Sequence, residues 1–199
     1  MVMFDRVSNQ LAVPSVRIDN KDGGYQATEH LIGQGYKRIA ILAGPKNLSI
    51  SNDRMDGYLL ALKKHKIKTN AHYIVHCDFN QQYAYEATNQ LLSMKNRPDA
   101  IFTISDRMAL GAMLAIKEKG LKMPKDIGLV GFNNEPVVNL VSPGISSIDQ
   151  PAFEMGKTAA KLFIERMHND DMGDVEVVLK PKLVIRESSL FKRVKNIFP

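Results

Sequence analysis

Hydrophobic and polar positions alternate along this chain in two patterns. Short apolar or extended runs predict strands, the most continuous of which are buried on both faces; they lie at 2–4, 13–18, 38–43, 73–76, 100–104 and 127–132. Between them, apolar residues recur at helical spacing, which predicts helices over 19–35, 53–62, 83–94 and 106–119. This alternation favours an α/β fold in which right-handed crossovers build parallel sheets flanked by helices.

The stretch 38–62 gives the first indication of function. Its strand ends at Gly44-Pro45, where the chain must turn, and the polar loop 46–52 leads into the next helix. This order places the loop at the carboxyl end of a parallel strand, where open α/β sheets bind their ligands. The sequence therefore predicts a polar ligand site at that edge of the sheet.

The pattern changes after Pro143. Residues 145–148 predict a short extended segment, 152–168 a long amphipathic helix, and 175–179 with 183–185 a closing β-hairpin. The first predicted strand begins almost at Met1, and an isolated strand cannot open a sheet. We therefore expect sheet partners from residues upstream of this sequence.

Composition narrows the class of protein. The 199 residues include 44% hydrophobic and 24% charged residues, which is typical of a globular protein. The single cysteine, Cys77, excludes an internal disulfide, and neither a membrane-spanning run nor a secretory leader is recognisable, so we expect a cytoplasmic protein without a membrane partner. The net charge of +6 comes from residues spread over separate segments, which favours solvated faces over a phosphate-binding stripe.

Signals for catalysis are missing from the sequence. The five histidines show no metal-ligand spacing, and Cys77 lies in no motif of an activated nucleophile. Gly23-Gly24 does not form a dinucleotide fingerprint, and no Walker pattern occurs. We therefore expect neither an enzyme nor a bound cofactor or metal.

A series of motifs resembles the lac-repressor (LacI/GalR) family in order and spacing over nearly the whole chain. They are Phe4-Asp5-Arg6, Val13-Pro14-Ser15-Val16, Asp19 with Gly23-Gly24-Tyr25, His30-Leu31-Ile32, Leu42-Ala43-Gly44-Pro45, Arg54 before Gly57-Tyr58, Pro98-Asp99-Ala100-Ile101-Phe102, Ser105-Asp106-Arg107-Met108-Ala109-Leu110-Gly111-Ala112, Pro124-Lys125-Asp126-Ile127, Val130-Gly131-Phe132, Ile148-Asp149-Gln150-Pro151 and Glu154-Met155-Gly156. The resemblance implies a two-lobed, periplasmic-binding-protein-like fold with parallel sheets flanked by helices and a small ligand held between the lobes.

The same resemblance implies how the chain is divided. Residues 1–36 with 145–169 would form a partial N-terminal lobe, and 37–144 with 170–190 a C-terminal lobe, followed by a tail at 191–199. The family pattern begins here only at Phe4-Asp5-Arg6. We therefore expect the N-terminal lobe to be incomplete and the family's DNA-binding headpiece to be absent from this sequence.

Family resemblance also suggests three residues that approach the ligand from different segments. Arg54 would point its guanidinium into the cleft; the alternative is a surface ion pair with Asp53 or Asp56. Asp5, at the end of the first strand, would be a hydrogen-bond acceptor that the other lobe contributes to the ligand; the alternative is an N-terminal loop carboxylate. Phe79 would form a stacking wall, or be a core phenylalanine. Bidentate donors, acceptors and an apolar face are what a polyol ligand requires.

Four further ligand-binding candidates follow other predicted strands. Ser105 stands where many family members have Asn, and Asp106 can equally cap the helix that it opens. Asn133 replaces an Asp found in many relatives, which favours a neutral or anionic ligand over a cationic one. Gln150 would reach the ligand from the crossing segment, or make a hinge hydrogen bond to the backbone.

These expectations together predict the effector-binding region of a bacterial LacI/GalR-type transcriptional regulator. The effector would be a sugar or sugar phosphate, and operator DNA would be bound only through the absent headpiece. The protein would be a homodimer that uses apolar helix faces of the C-terminal lobe, including Met108, Met113 and Leu114; the alternative for these three residues is a purely internal core role. The alternatives are a solute-binding protein of a sugar transporter and a sugar-modifying α/β enzyme. The sequence leaves the identity of the effector open.

Overall fold

The computed structural model describes residues 1–7, 11–168, 173 and 175–191. The described strands are β1 (Met3–Phe4), β2 (Ser15–Ile18), β3 (Ile39–Ala43), β4 (Ile74–His76), β5 (Ala100–Thr103), β6 (Gly128–Asn133), β7 (Ser146–Asp149), β8 (Glu176–Leu179) and β9 (Lys182–Val184). The described α-helices are α1 (Asn20–Gln34), α2 (Ser49–Lys64), α3 (Gln81–Leu92), α4 (Asp106–Glu118), α5 (Val137–Leu140) and α6 (Ala152–His168). The α/β class predicted from the sequence is confirmed.

A six-stranded sheet forms the larger part of the molecule. Its strand order is β4-β3-β5-β6-β7-β9, and every neighbouring pair is parallel except β7 with β9. All residues of β3 and β5 are buried, because helices cover both faces of a parallel sheet. The parallel strands end together at one edge, and the helices that follow them return the chain to the opposite edge.

Helices α1 and α2 pack with their backbones in near contact. A Cβ atom built on Gly24 would lie 2.1 Å from the carbonyl oxygen of Arg54, and one built on Gly57 would lie 2.1 Å from that of Lys21. Only glycine permits this approach, since a methyl group would overlap a backbone oxygen. The crossing fixes the start of α1 against the first turns of α2, and both segments reach the carboxyl edge of the sheet.

The smaller sheet consists of three parallel strands in the order β1-β2-β8. Helix α6 packs against β1 and β2, with Met155 and Leu162 buried beside Val16. The Arg17 Nε donates to Glu176 Oε1 at 2.5 Å across the β2–β8 pair. Three short passages connect this sheet to the larger one: Asp19 after β2, 150–151 after β7, and 180–181 between β8 and β9.

The structure differs from the sequence prediction in the pairing of β8 with β9 and in the placement of three elements, α1, β7 and β8. Strands β8 and β9 do not form the predicted hairpin, because they belong to different sheets. Their connection, Lys180-Pro181, lacks the Gly or Asn that a two-residue hairpin turn needs. Helix α1 packs on α2, and β7 pairs with β6, so these two elements, expected in the N-terminal lobe, lie with the larger sheet. Strand β8, expected in the C-terminal lobe, pairs with β2 in the smaller sheet. The lobe boundaries themselves stay a prediction.

Two of the methionines expected at a dimer interface lie inside the protein. Met108 and Met113 of α4 are 0% and 3% exposed and belong to the hydrophobic core, so their predicted surface role was wrong. Leu114, the next residue after Met113, is 44% exposed. No helix in the described part of the chain is long and apolar enough to cross a membrane.

Candidate functional site

A polar cavity of about 610 Å³ opens at the carboxyl edge of the larger sheet and extends to the end of β1. Its volume falls within the usual range for small-molecule sites, about 300–1,000 Å³. Six of the seven residues predicted to bind ligand line it: Asp5, Arg54, Phe79, Ser105, Asn133 and Gln150. The remaining lining residues are Arg6, Ile50, Arg107, Asn134, Glu135, Pro136, Asp149 and Ala152.

Arg54 is held rigidly at the floor of this cavity. Its guanidinium stacks 3.6 Å from the centre of the Phe132 ring, Nε donates to Asn20 Oδ1 at 2.8 Å, and Nη1 donates to the Ile104 carbonyl at 2.6 Å. The residue is 3% exposed, so the alternative of a surface ion pair was wrong. In the described part of the structure Nη2 has no hydrogen-bond partner, which leaves its two N–H groups for a ligand.

Burial also changes the electrostatics of Arg54. It lowers the pKa of the guanidinium to about 9, although Asp5 and Asp106 nearby oppose this shift. The group therefore stays charged at neutral pH but is poorly solvated. A poorly solvated cation interacts more strongly with an acceptor that a ligand supplies.

Asn20 was not among the predicted site residues. It is 3% exposed at the start of α1, where its side chain lies between the Ile18 carbonyl, an acceptor at 3.5 Å, and the Arg54 Nε. Only the close crossing of α1 and α2 brings Asn20 and Arg54 together across 34 positions of sequence. A residue type alone carries no signal for such a tertiary contact.

Asp5 and Gln150 join the two sheets at the side of the cavity. Gln150 Nε2 donates to Asp5 Oδ1 at 2.7 Å and lies 3.5 Å from the sulfur of Met155. Asp5 has a left-handed backbone, with φ of 62°, at the end of β1. The Gln150 amide thus binds a side chain rather than the backbone, and the bond ties β1 to the passage after β7.

Phe79 forms one wall of the cavity. Its ring edge approaches Gly44 at the end of β3, where an added Cβ would lie 2.9 Å from Phe79 Cζ. The Arg6 guanidinium lies 5.8 Å from the ring centre, close enough for a cation–π contact. The ring is partly exposed, so it presents an apolar surface to the cavity beside polar neighbours.

Asp106 does not line the cavity, contrary to the prediction. It is fully buried, and both of its oxygens are occupied: Ser147 Oγ donates to Oδ1 at 2.7 Å, and the Glu135 backbone N–H donates to Oδ2 at 2.7 Å. Nor does its side chain cap α4, since Ser105 Oγ accepts from the Met108 N–H at 3.4 Å. Asp106 therefore supports the site from beneath by holding the segment after β6 against β7.

The Asp106 carboxyl should make folding stability depend on pH. Burial raises its pKa to about 6, although the bonds from Ser147 and Glu135 lower it. Because the folded state binds this proton more tightly than the unfolded chain, the contribution of Asp106 to the free energy of unfolding should fall as pH rises from about 4 to about 6. Asp106→Asn keeps the shape and should remove this contribution, which chemical denaturation of both proteins across that pH range measures. Parallel pH profiles for the two proteins would contradict the prediction.

The segment after β6 is held in an uncommon backbone conformation. Asn133 and Asn134 have φ of 110° and 56°. The Asn134 side chain donates to Asp149 Oδ1 at 2.8 Å and accepts from Arg186 Nη2 at 2.7 Å. The Asn133 side chain has only a long contact, 3.5 Å, with Glu135 Oε1. Asn134 and Arg186, which sequence reasoning missed, thus fix the rim while the Asn133 amide faces the cavity.

Nucleophile and metal chemistry would depend on the single cysteine, Cys77, and on the placement of metal-ligating side chains in the described residues. Burial raises the pKa of the Cys77 thiol to about 11, which keeps it protonated at neutral pH. Within the described residues, no group of three or more His, Cys, Asp or Glu side chains is placed to hold a metal ion. The cavity instead offers fixed hydrogen-bond donors and acceptors beside an aromatic ring.

Comparison with known proteins places this fold in a family. Residues 28–189 match the model of the periplasmic binding protein-like domain. A regulatory protein of the LacI family from Chloroflexus aggregans is 35% identical, with a TM-score of 0.88 over 94% of this chain and 68% of that one. The chain belongs to the LacI family. The predicted resemblance is confirmed.

Two further relatives carry names that describe transcriptional regulators. The HTH-type transcriptional repressor CytR of Escherichia coli (strain K12) is 35% identical over 189 residues, which are 95% of this chain and 55% of the relative. The structure titled transcriptional regulator CelR-cellobiose complex is 32% identical, with a TM-score of 0.88 over 94% of this chain and 58% of that one. The chain therefore spans little more than half the length of the curated relatives that it matches.

Proposed function

We propose that this chain is the effector-sensing region of a bacterial LacI-family transcriptional regulator and binds a sugar or sugar phosphate in the polar cavity. The observation that carries the proposal is the buried Arg54, which keeps a free donor at the floor of a cavity built from both sheets. Family membership supports a regulator over the solute-binding protein of a transporter, and the relatives named above carry the names of a transcriptional repressor, a transcriptional regulator and a regulatory protein.

The chemistry of the cavity suits a hydroxyl-rich ligand. Sugar hydroxyls both donate and accept, and the cavity supplies an arginine donor in Arg54, an amide in Asn133 and a carboxylate in Asp5. Phe79 offers an apolar face for the carbon ring. Arg6 and Arg107, which also line the cavity, would accommodate a phosphate group. The relative whose structure is titled as a cellobiose complex supports a carbohydrate as the ligand class.

Coupling to DNA would follow from the position of the ligand between two sheets. Asp5 follows β1 of the smaller sheet, and Arg54 lies on α2, which packs against β3 of the larger sheet, so a ligand that contacts both residues binds best at one relative arrangement of the two sheets. Ligand binding then shifts the population toward that arrangement. In a cytoplasmic homodimer, the shift would change the spacing of DNA-binding headpieces that lie outside this chain.

A thermal-unfolding screen tests the proposed ligand class. We expect cellobiose, ribose or a sugar phosphate to raise the unfolding temperature, since a ligand present at about 100 times its Kd adds about 2.7 kcal/mol. Phe79→Ala should weaken this stabilisation at least tenfold in apparent Kd, whereas Phe163→Ala, which removes a half-exposed ring on α6, should leave it unchanged. Saturable binding accompanied by turnover of the sugar would contradict the proposal in favour of an enzyme.

A further inference from the structure

Positive charge is concentrated at the edge of the larger sheet opposite the cavity. Strands β3, β4, β5 and β6 all begin there, and each is preceded by a connection that starts at the end of a helix. These connections and helix ends contain twelve of the chain's 27 Lys and Arg residues: Lys37, Arg38, Lys63, Lys64, Lys66, Lys68, Lys95, Arg97, Lys117, Lys119, Lys122 and Lys125. We call this set the basic stripe.

The four connections form one continuous surface. Strand order β4-β3-β5-β6 sets them side by side, and at about 4.8 Å per strand they extend about 15 Å along the sheet edge. Hydrogen bonds join three of these connections. Arg38 Nε, before β3, donates to the Arg97 carbonyl in the neighbouring connection before β5 at 2.9 Å, and Tyr73 Oη, before β4, donates to the Asn96 carbonyl, before β5, at 2.6 Å. The stripe is therefore a fixed arrangement rather than a set of unrelated loops.

The carboxylates near the stripe are already occupied. Asp99 accepts from the Lys37 and Arg38 backbone N–H groups, Asp126 accepts from the Lys122 N–H, and Glu118 accepts from Tyr85 Oη. Nine exposed lysines of the stripe have no carboxylate oxygen within 4.0 Å in the described part of the chain. They are Lys37, Lys63, Lys66, Lys68, Lys95, Lys117, Lys119, Lys122 and Lys125.

Helix stabilisation explains only part of this charge. Cations in the last turn of a helix interact favourably with its dipole, which accounts for Lys63 and Lys64 of α2 and for Lys117 of α4. The other exposed lysines lie beyond the helix ends, where the dipole effect has faded. Their accumulation along one edge, against a net charge of only +6 for the whole chain, favours a polyanionic partner.

We propose that the basic stripe binds the phosphate backbone of duplex nucleic acid without reading its sequence. Lysine ammonium groups act as mobile point charges that suit phosphates, whereas the fork of Arg38 is engaged with Arg97 and Asp99. A duplex presents one charge per about 1.7 Å, so a stripe about 15 Å long meets several phosphates at once. This surface is separate from the proposed effector cavity and lies at the opposite edge of the sheet.

Charge reversal on the 199-residue chain tests the proposal. The stripe variant carries K68E, K95E, K119E and K122E, and the matched control carries K46E, K157E, K180E and K182E, four exposed lysines outside the stripe. Binding to a fluorescent duplex of about 24 base pairs and arbitrary sequence is measured by anisotropy from about 50 mM to about 200 mM KCl. We expect the stripe variant to bind the duplex at least tenfold more weakly at about 50 mM KCl. The slope of the logarithm of the binding constant against the logarithm of the salt concentration should become shallower by about 3 to 4, because each of the four lost phosphate contacts contributes about 0.9.

Several results would overturn the proposal. Equal losses in the two variants would reveal an effect of net charge alone, and failure of the unmodified chain to bind the duplex at 50 mM KCl would exclude the site. Binding of polyglutamate in place of the duplex would assign the stripe to an acidic protein instead. If the stripe variant does not fold, the same four positions changed to Gln provide a milder test, for which we expect a similar change in salt slope, because the same four phosphate contacts are lost, with a smaller loss of affinity.

Discussion

Arg54→Ala should abolish ligand-dependent stabilisation of this protein. The guanidinium provides the Nη2 donor at the floor of the cavity, and within the described residues it is the one cation that stacks on the Phe132 ring. The substitution should also lower the free energy of unfolding by about 1–3 kcal/mol, since the Asn20 amide oxygen and the Ile104 carbonyl lose their donor. Thermal unfolding with and without ligand measures both effects.

Two companion variants separate binding from folding. Arg54→Lys keeps a cation but loses the planar fork and its stacking, so we expect a stable protein with ligand affinity reduced at least tenfold. Arg38→Ala removes an exposed arginine at the opposite edge and should leave ligand binding unchanged. An Arg54→Ala protein that gains as much stability from ligand as the unmodified protein would exclude Arg54 from the site.

Gly24→Ala should be the most destabilising single-methyl change in α1. Its new Cβ would lie 2.1 Å from the Arg54 carbonyl oxygen, so α1 and α2 must move apart. We expect a loss of about 3 kcal/mol or more, equivalent to a fall of about 6–12 °C in Tm for a chain of this size. The same movement would displace Asn20 and Arg54 and weaken ligand binding.

Gly33→Ala is the matched control on the same helix. No atom lies within 4 Å of a Cβ added there, so the change should instead add about 0.5–1 kcal/mol through helix propensity. Differential scanning calorimetry of the two variants gives the comparison directly. Equal Tm values would show that the two helices do not approach each other as closely as described.

The sequence predicted most elements because each one's hydrophobic pattern is local. Helix α6 was predicted with the observed bounds, and strands β3 to β6 within a few residues. The start of α2 was placed four residues late, at Asp53 rather than Ser49, because its N-cap residue, Leu48, makes no side-chain capping bond and leaves no signal. The hairpin was wrong because the same apolar pattern fits strands of one sheet or of two.

Site residues were predictable where they follow strands and unpredictable where tertiary contacts define them. Parallel strands end at one edge, so their loop residues converge, and six of the seven candidates line one cavity. Whether they bind a ligand stays a prediction. The supporting role of Asp106 depends on Ser147, 41 positions away, and that of Asn20 depends on the α1–α2 crossing. Neither contact is visible in a local pattern.

The discontinuity of the smaller sheet has a consequence for the order of folding. Strand β2 finds its partner β8 about 160 residues further along the chain, so this pairing must close a very long loop. The local strand–helix–strand units between them close much shorter loops and should form earlier. In pulse-labelling hydrogen exchange, the amides of Ser15–Ile18 should therefore gain protection after those of Ile39–Ala43 and Ala100–Thr103.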